Sequence, residues 1–267
     1  MQKIDIKIKN NSKISDILLN FGFSYGNIQK LLKKKDIRID NIKTNEDVFA
    51  YEGQTLTVYC EEAPKRRFEI VYEDDNVVVV NKEAEIEVQG VNSIEEQLGF
   101  TAVHRLDRNT KGLVIFAKNE EAEKDLLNAI KARKIQKKYR AEVVGQTNFN
   151  GGEYKAYLLK DAKESTVKIF KNKVPGSVEI ITIFKTLKNT IDTSVVEVEL
   201  VTGKTHQIRA HLAYLGHAII GDGKYGKNEN NKKFKQKYQN LTCFFIKFSG
   251  LKKNNYLNDK KIEINCK

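Results

Sequence analysis

The chain has 267 residues, 40% of them apolar and 31% charged, with a formal net charge of +12. This suits one large domain, or one domain plus a small module. No apolar run approaches the ~20 residues needed to span a bilayer, which argues against a helical membrane protein. Residues 1–5, MQKID, show no hydrophobic signal segment. Cys60, Cys243 and Cys266 are scattered and odd in number, pointing to a reducing cytoplasm and not a disulfide framework.

The charge is uneven. Residues 223–267 hold 12 Lys against Glu229, Asp259 and Glu263, a surplus of +9. Such a balance fits a polyanionic partner, because each cation that neutralises a phosphate releases a counterion. A lysine-rich genome would also give a lysine-rich surface.

Residues 1–60 read as a small unit. A helix is expected over residues 14–19, capped by Ser12 or Ser15, and a second over 27–32. Ile37 and Ile39 alternate with Arg38 and Asp40 as a short strand, and residues 53–59 close the unit with another. Residues 61–67, EEAPKRR, look like a linker.

Residues 68–267 read as one larger domain. Strands are expected at 68–72 and 77–80, joined by a turn at Asp74-Asp75-Asn76. Ser93-Ile94-Glu95-Glu96 fits a capping box. Residues 113–117, LVIFA, form a buried strand, and Asn119 caps a helix with Ala122, Leu126, Leu127 and Ile130 on one face. Residues 139–144 and 195–201 alternate like strands. A helix over 205–215 ends at Gly216, and the low-complexity stretch 227–233 is expected to be a mobile loop. Strand runs with intermittent helices and no regular βαβ pattern give an α+β class.

Several chemistries can be weighed. Of the four histidines (His104, His206, His211, His217), His206 and His211 lie five apart, off the one-face spacing of zinc-binding helices, and no CxxC pair exists. No metal site is therefore expected. The segment GDGKYG, 221–226, lacks a phosphate-loop arrangement and reads as a turn, with Asp222 a turn residue. Asp107 and Asp222 could pair for glycoside chemistry, but spacing does not place them together. Asp107 itself lies among His104, Arg105, Arg108 and Lys111 in a loop entering the buried strand. Catalytic groups are commonly held in such a position. A structural ion pair with Arg105 or Arg108 would explain it equally well.

Four stretches decide between these readings. "HRLDRNTKGLVIFAK" (104–118) resembles the HRLDxxTSGLxxxAK motif of the RluA-type pseudouridine synthases, which modify ribosomal RNA. "VVEVELVTGKTHQIRAHLAYLGHAIIGDGKYG" (195–226), "KKYRAEVVG" (137–145) and "YEDDNVVVVNK" (72–82) resemble further motifs of that family, in family order. Residues 13–59 resemble a small RNA-binding domain shared by a small-subunit ribosomal protein and many RNA-modifying enzymes.

The resemblance implies a pseudouridine synthase-like catalytic domain on a mixed, mainly antiparallel sheet with flanking helices. It also implies a small N-terminal α/β RNA-binding domain. Asp107 would be the catalytic aspartate, Arg209 the arginine that holds it ionised, and Tyr139 the residue that stacks on the uracil. Arg105 would fill the space left by a flipped nucleotide, and His104, Arg108, Lys204 and His206 would contact RNA. The implied reaction needs no cofactor. The expected partner is RNA, foremost large-subunit ribosomal RNA with transfer RNA as the alternative; the protein would be a cytoplasmic monomer without a membrane partner. A non-catalytic RNA-binding assembly factor is the rival from another class.

The sequence departs from the family at Lys111 (usually serine), at Glu83-Ala84-Glu85 (usually KPxG) and at Leu241-Thr242-Cys243 (usually an LHA-type triplet). Lys35 and Asp40-Asn41 stand where glycine-rich turn signals are usual.

Overall fold

The computed structural model describes residues 1–8, 10–23, 25–62, 67–90, 93–161 and 164–266. Residues 63–66 of the expected linker lie outside this set.

The runs Val77–Lys82 and Lys111–Ala117 are apolar almost throughout and buried, as strands covered on both faces must be. They lie inside a large mixed sheet. Its order is Thr166–Phe170, Asn150–Asp161, Val178–Asn189, Thr193–Leu200, Gln136–Val144, Leu241–Lys247, Lys111–Ala117, Val77–Lys82 and Phe68–Glu73. Among the described strands one pairing is parallel, Lys111–Ala117 against Leu241–Lys247. The rest are antiparallel, so the α+β, mainly antiparallel expectation holds. Helix Glu120–Lys131 packs beside the strand Lys111–Ala117, and helix Gln207–Tyr214 against Thr166–Phe170.

Residues 2–60 form a separate four-stranded sheet, ordered Gln2–Lys7, Thr55–Cys60, Ile37–Ile39, Ile42–Thr44. With helices Ile14–Asn20 and Tyr25–Lys34 it encloses its own cluster of Ile14, Leu18, Ile28, Ile37, Leu56 and Val58. Asp40 and Asn41 turn the Ile37–Ile39/Ile42–Thr44 hairpin at φ 47° and 70°. Two successive left-handed residues are what a two-residue hairpin demands, and Asp and Asn tolerate them without glycine.

Three local expectations are corrected. Neither Ser12 nor Ser15 caps the first helix: Lys13 is the N-cap and makes no side-chain cap bond. Ser12 lies in a short strand instead, and Ser15 takes Asp47, whose carboxylate accepts from both the Ser15 amide and hydroxyl. Leu127 does not join the buried face of its helix; it is exposed, and Asp125 and Ala129 are buried beside Ala122 and Leu126. Asp125 belongs inside because it accepts the backbone amides of Lys252, Lys253 and Asn254. The stretch 227–233 contains a helix, Asn228–Lys233. It has no buried residue, and Asn231 ties it down by accepting from Gly221 N and donating to Asp222 O. Asn119 and Ser93 cap their helices as the sequence indicates.

Candidate active site

Residues 104–110 form the loop that enters the strand Lys111–Ala117. Both of its ends are pinned. His104 Nε2 accepts from Ile115 N at 3.2 Å, and Val103 N donates to Ile115 O. Lys82, fully buried, donates to Arg108 O at 2.7 Å and Glu83 O at 2.8 Å. Burial lowers the Lys82 pKa to about 7. Thr110 Oγ1 accepts from Gln239 Nε2 in the interior, and Thr110 N closes a turn on Asp107 O. A loop fixed by buried contacts holds Asp107 in one orientation while its carboxylate stays a quarter exposed.

Arg209 meets that carboxylate from the side. Its Nη1 donates to Asp107 Oδ2 at 2.7 Å. Its Nε and Nη2 donate to Asp222 Oδ2 and Oδ1 at 2.7 and 2.9 Å, a bidentate pair. Asp222 is 0% exposed and also accepts from Lys224 N and Tyr225 N. Burial alone would push the Asp222 carboxyl up, but the Arg209 bonds and charge outweigh it and hold it low. Burial likewise opposes the Arg209 charge, and Asp222 with Asp107 overcomes this and raises its pKa. Asp222 is thus not a turn residue alone: the turn 221–226 is folded around a carboxylate that fixes Arg209. The expected alternative of an Asp107 ion pair with Arg105 or Arg108 is not realised among the described residues; both arginines are exposed. Arg209 also intervenes between Asp107 and Asp222, an arrangement unlike two free carboxylates flanking a glycosidic bond.

Tyr139 stands on Gln136–Val144 and is 5% exposed. The strand carrying Cys243 runs between it and the Asp107 strand. Burial raises its pKa well above the usual phenol value, so it stays protonated at neutral pH. Gly112 and Cys243 allow this close fit. A Cβ on Gly112, at φ +110°, would lie 2.1 Å from Cys243 O.

Asp107, Tyr139, His104, Arg105, Lys204 and His206 line one cavity of about 960 Å³. Arg209 braces Asp107 from behind this lining, and Arg108 is not part of it. Lys131, Arg133, Lys134, Lys137 and Lys247, which no sequence motif marks as site residues, also line the cavity. Lys137 shares a strand face with Tyr139, and burial lowers its pKa. Spacing by two along a strand was the available signal for Lys137. The others come from separate elements. The remaining histidines have local partners: His211 Nδ1 meets Thr182 Oγ1 and His217 Nδ1 meets Val144 O. Among the described residues, no three His, Cys, Asp or Glu side chains converge as a metal site.

The motif departures keep the backbone that a glycine would supply. Glu85 has φ 69° and Lys35 φ 59°. Glu85 is held in this turn by Arg67 at 2.9 Å and by the Tyr238 hydroxyl. Lys111 is exposed and lies 3.8 Å from Glu83, so two of the departures face one another.

The family model for RNA pseudouridylate synthase matches residues 76–214. An uncharacterised RNA pseudouridine synthase of Mycoplasma pneumoniae is 33% identical over 215 residues, 70% of this chain and 65% of that protein. The ribosomal large subunit pseudouridine synthase C of Rickettsia felis is 33% identical over 216 residues, covering 73% of this chain and 70% of its own. The protein of that name in Escherichia coli is 29% identical over 235 residues, 84% of this chain and 72% of its own. The solved structure of human RNA pseudouridylate synthase domain containing 1 shares the fold, with TM-score 0.62 and 23% identity over 75% of this chain and 83% of its own. With the matched region spanning the Asp107 loop, the Tyr139 strand and Arg209, the chain belongs to the RNA pseudouridylate synthase family.

Proposed function

We propose that this protein isomerises uridine to pseudouridine in large-subunit ribosomal RNA. The observation that carries the reading is Arg209, clamped by buried Asp222 and holding the Asp107 carboxylate at the mouth of a cavity walled by Tyr139. The names of the Rickettsia and Escherichia relatives support ribosomal RNA as the substrate.

The reaction breaks the N1–C1′ bond of a uridine, forms a C5–C1′ bond, releases the C5 proton and protonates N1. Atoms and electrons balance within the nucleotide, so the reading calls for no cofactor. Asp107 acts as the ionised carboxylate at the reacting nucleotide, whether at the anomeric carbon, at the base ring or in elimination to a glycal. Phosphates nearby disfavour that charge, and the Arg209 guanidinium favours it. Tyr139 stacks on the uracil as a neutral phenol, beside the C5 proton that the reaction releases. Reaching the cavity requires the nucleotide to leave its stack, at a cost of a few kcal/mol. Arg105, exposed beside Asp107, fills the space left behind. His104, Arg108, Lys204 and His206 contact the RNA around it.

The separate core within residues 1–60 supports a small RNA-binding domain there, followed by a linker at 61–67 and a catalytic domain over 68–267. We read the protein as a monomer. No helix is long and apolar enough to cross a membrane among the described residues, and a ribosomal RNA substrate supports the cytoplasm as its location.

Tritium release tests the reading. RNA labelled at uridine C5 should lose tritium with wild-type protein when it is large-subunit ribosomal RNA. Release from transfer RNA alone would change the substrate, and tight binding without release from either would favour a non-catalytic assembly factor.

A further inference from the structure

Among the described residues, His206 Nε2 has no hydrogen-bond partner. The residue is the N-cap of helix Gln207–Tyr214 and has left-handed backbone, φ 55° and ψ 15°. A histidine in this region costs about 1 kcal/mol or more, and such strain collects at functional sites. Its ring is held on one side by Tyr225, whose hydroxyl lies 2.9 Å from Nδ1. That hydroxyl oxygen already accepts from Val167 N at 2.9 Å. Among the described residues Nδ1 is the one acceptor bonded to that hydroxyl, so satisfying its proton puts the ring proton on Nε2. Burial lowers the His206 pKa, so the ring is neutral at neutral pH and carries that single proton. His206 and Asp107 line the same cavity, and Nε2 lies 3.8 Å from Asp107 Oδ2. This is beyond a hydrogen bond, yet one oxygen atom can touch both groups from the open side.

An oxygen seated there must accept from an N–H and donate to a carboxylate. Uracil carbonyls only accept, and beside Asp107 they would meet an anion. Phosphate oxygens fail for the same reason. A ribose hydroxyl both donates and accepts. If Asp107 acts at or beside the anomeric carbon, the nearest such hydroxyl is the 2′, one carbon away. We propose that His206 Nε2–H donates to the 2′-hydroxyl of the target uridine, which in turn donates to Asp107, making the site selective for ribose over deoxyribose. This rests on the isomerase reading of Asp107. It gives Tyr225 a role as a positioning residue, since its hydroxyl fixes which ring nitrogen carries the proton.

The test uses RNA fragments around the uridine that wild-type protein converts. They carry uridine, 2′-deoxyuridine or 2′-fluoro-2′-deoxyuridine at that position, and pseudouridine-type products are measured by nucleoside chromatography. Wild-type kcat/KM should fall about 10- to 100-fold when the hydroxyl is replaced, the loss expected when a polar partner is left unpaired. His206→Asn suits the left-handed backbone and withdraws the ring. It should be slow on uridine and show nearly the same rate on all three fragments. Tyr225→Phe should shift the ratio the same way. Each ratio is internal to one protein, so loss of folded material cancels. A His206→Asn protein that keeps the wild-type ratio, or a wild type that converts all three equally, would overturn the proposal while leaving the isomerase reading intact. A wild type that converts no uridine in any RNA overturns the isomerase reading, and this proposal with it.

Discussion

Asp107 and Asp222 grip the same guanidinium: Arg209 gives Nη1 to the partly exposed carboxylate and Nε with Nη2 to the buried one. One acid is left with a free side facing the cavity, and the other has its oxygens occupied by Arg209 and two backbone amides. On the proposed reading, Asp107 is the reacting group and Asp222 the anchor.

Asp222→Asn should reveal the anchor. The amide cannot accept both guanidinium bonds, and Arg209 remains buried with its charge undercompensated. The expected loss is about 3 kcal/mol of stability, as for breaking a buried ion pair, read by urea unfolding. Tritium release should fall at least tenfold in protein still folded at the assay temperature, the direction expected when Arg209 loses its orientation. Wild-type release rates in this variant would show that Asp107 does not depend on a fixed Arg209.

Gly112→Ala should push the strand after the Asp107 loop away from the Cys243 strand, which lies between it and Tyr139. The added Cβ meets the Cys243 backbone, and the φ of +110° is hostile to alanine. The expected cost is on the order of 3 kcal/mol. Gly223→Ala, whose Cβ meets nothing, should stay within about 0.5 kcal/mol of wild type.

Glu85 gives the turn after Lys82 a pH dependence. Burial pushes its carboxyl up, but the Tyr238 hydroxyl and Arg67 outweigh this and bring its pKa to about 2 from 4.5. A folded-state pKa below the unfolded one stabilises the protein above the unfolded value. Stability from Glu85 should thus be full above pH 4.5 and drain away as the pH falls towards 2. Glu85→Gln should flatten that part of the wild-type stability curve, measured by urea midpoints at each pH. An unchanged slope would rule out Glu85 as its source.

The basic surface that matters for RNA should be the cavity rim, not the lysine surplus of residues 223–267 as a whole. Lys233 pairs with Asp192 and Lys237 with Glu85, and Lys224 is bonded to Ser165 O. Lys131 and Arg133 line the cavity. Replacing both with alanine should reduce the slope of log affinity against log salt by about 1.5, the value for two lost phosphate contacts on single-stranded RNA. Replacing Lys232 and Lys235 should leave the slope unchanged.

The site was legible where it lies in one stretch of chain. The loop around Asp107, the strand beyond it and the helix bearing Arg209 follow from local pattern and motif. Asp222 was misjudged because its partner is set by how the turn 221–226 folds back on Arg209, and glycines on both sides suggested nothing more than a turn. Rim cations such as Lys131, Lys134 and Lys247 could not be gathered from sequence because they come from a helix, the loop after it and a distant strand. Leu127 illustrates the limit of periodicity: helix position alone suggested burial, and the demand of three backbone amides for Asp125 helped decide the face. The left-handed backbone at Glu85 and Asp40-Asn41 shows the converse, a conformation kept although glycine is absent.

The central claim is that the Asp107 carboxylate does the chemistry. The most direct measurement is tritium release from C5-labelled large-subunit ribosomal RNA by Asp107→Asn beside wild type, with RNA binding measured on the same preparations. Asparagine keeps the shape and removes the charge. Wild type should release tritium and the variant none, with RNA still bound by both. Release by Asp107→Asn at the wild-type rate would contradict it.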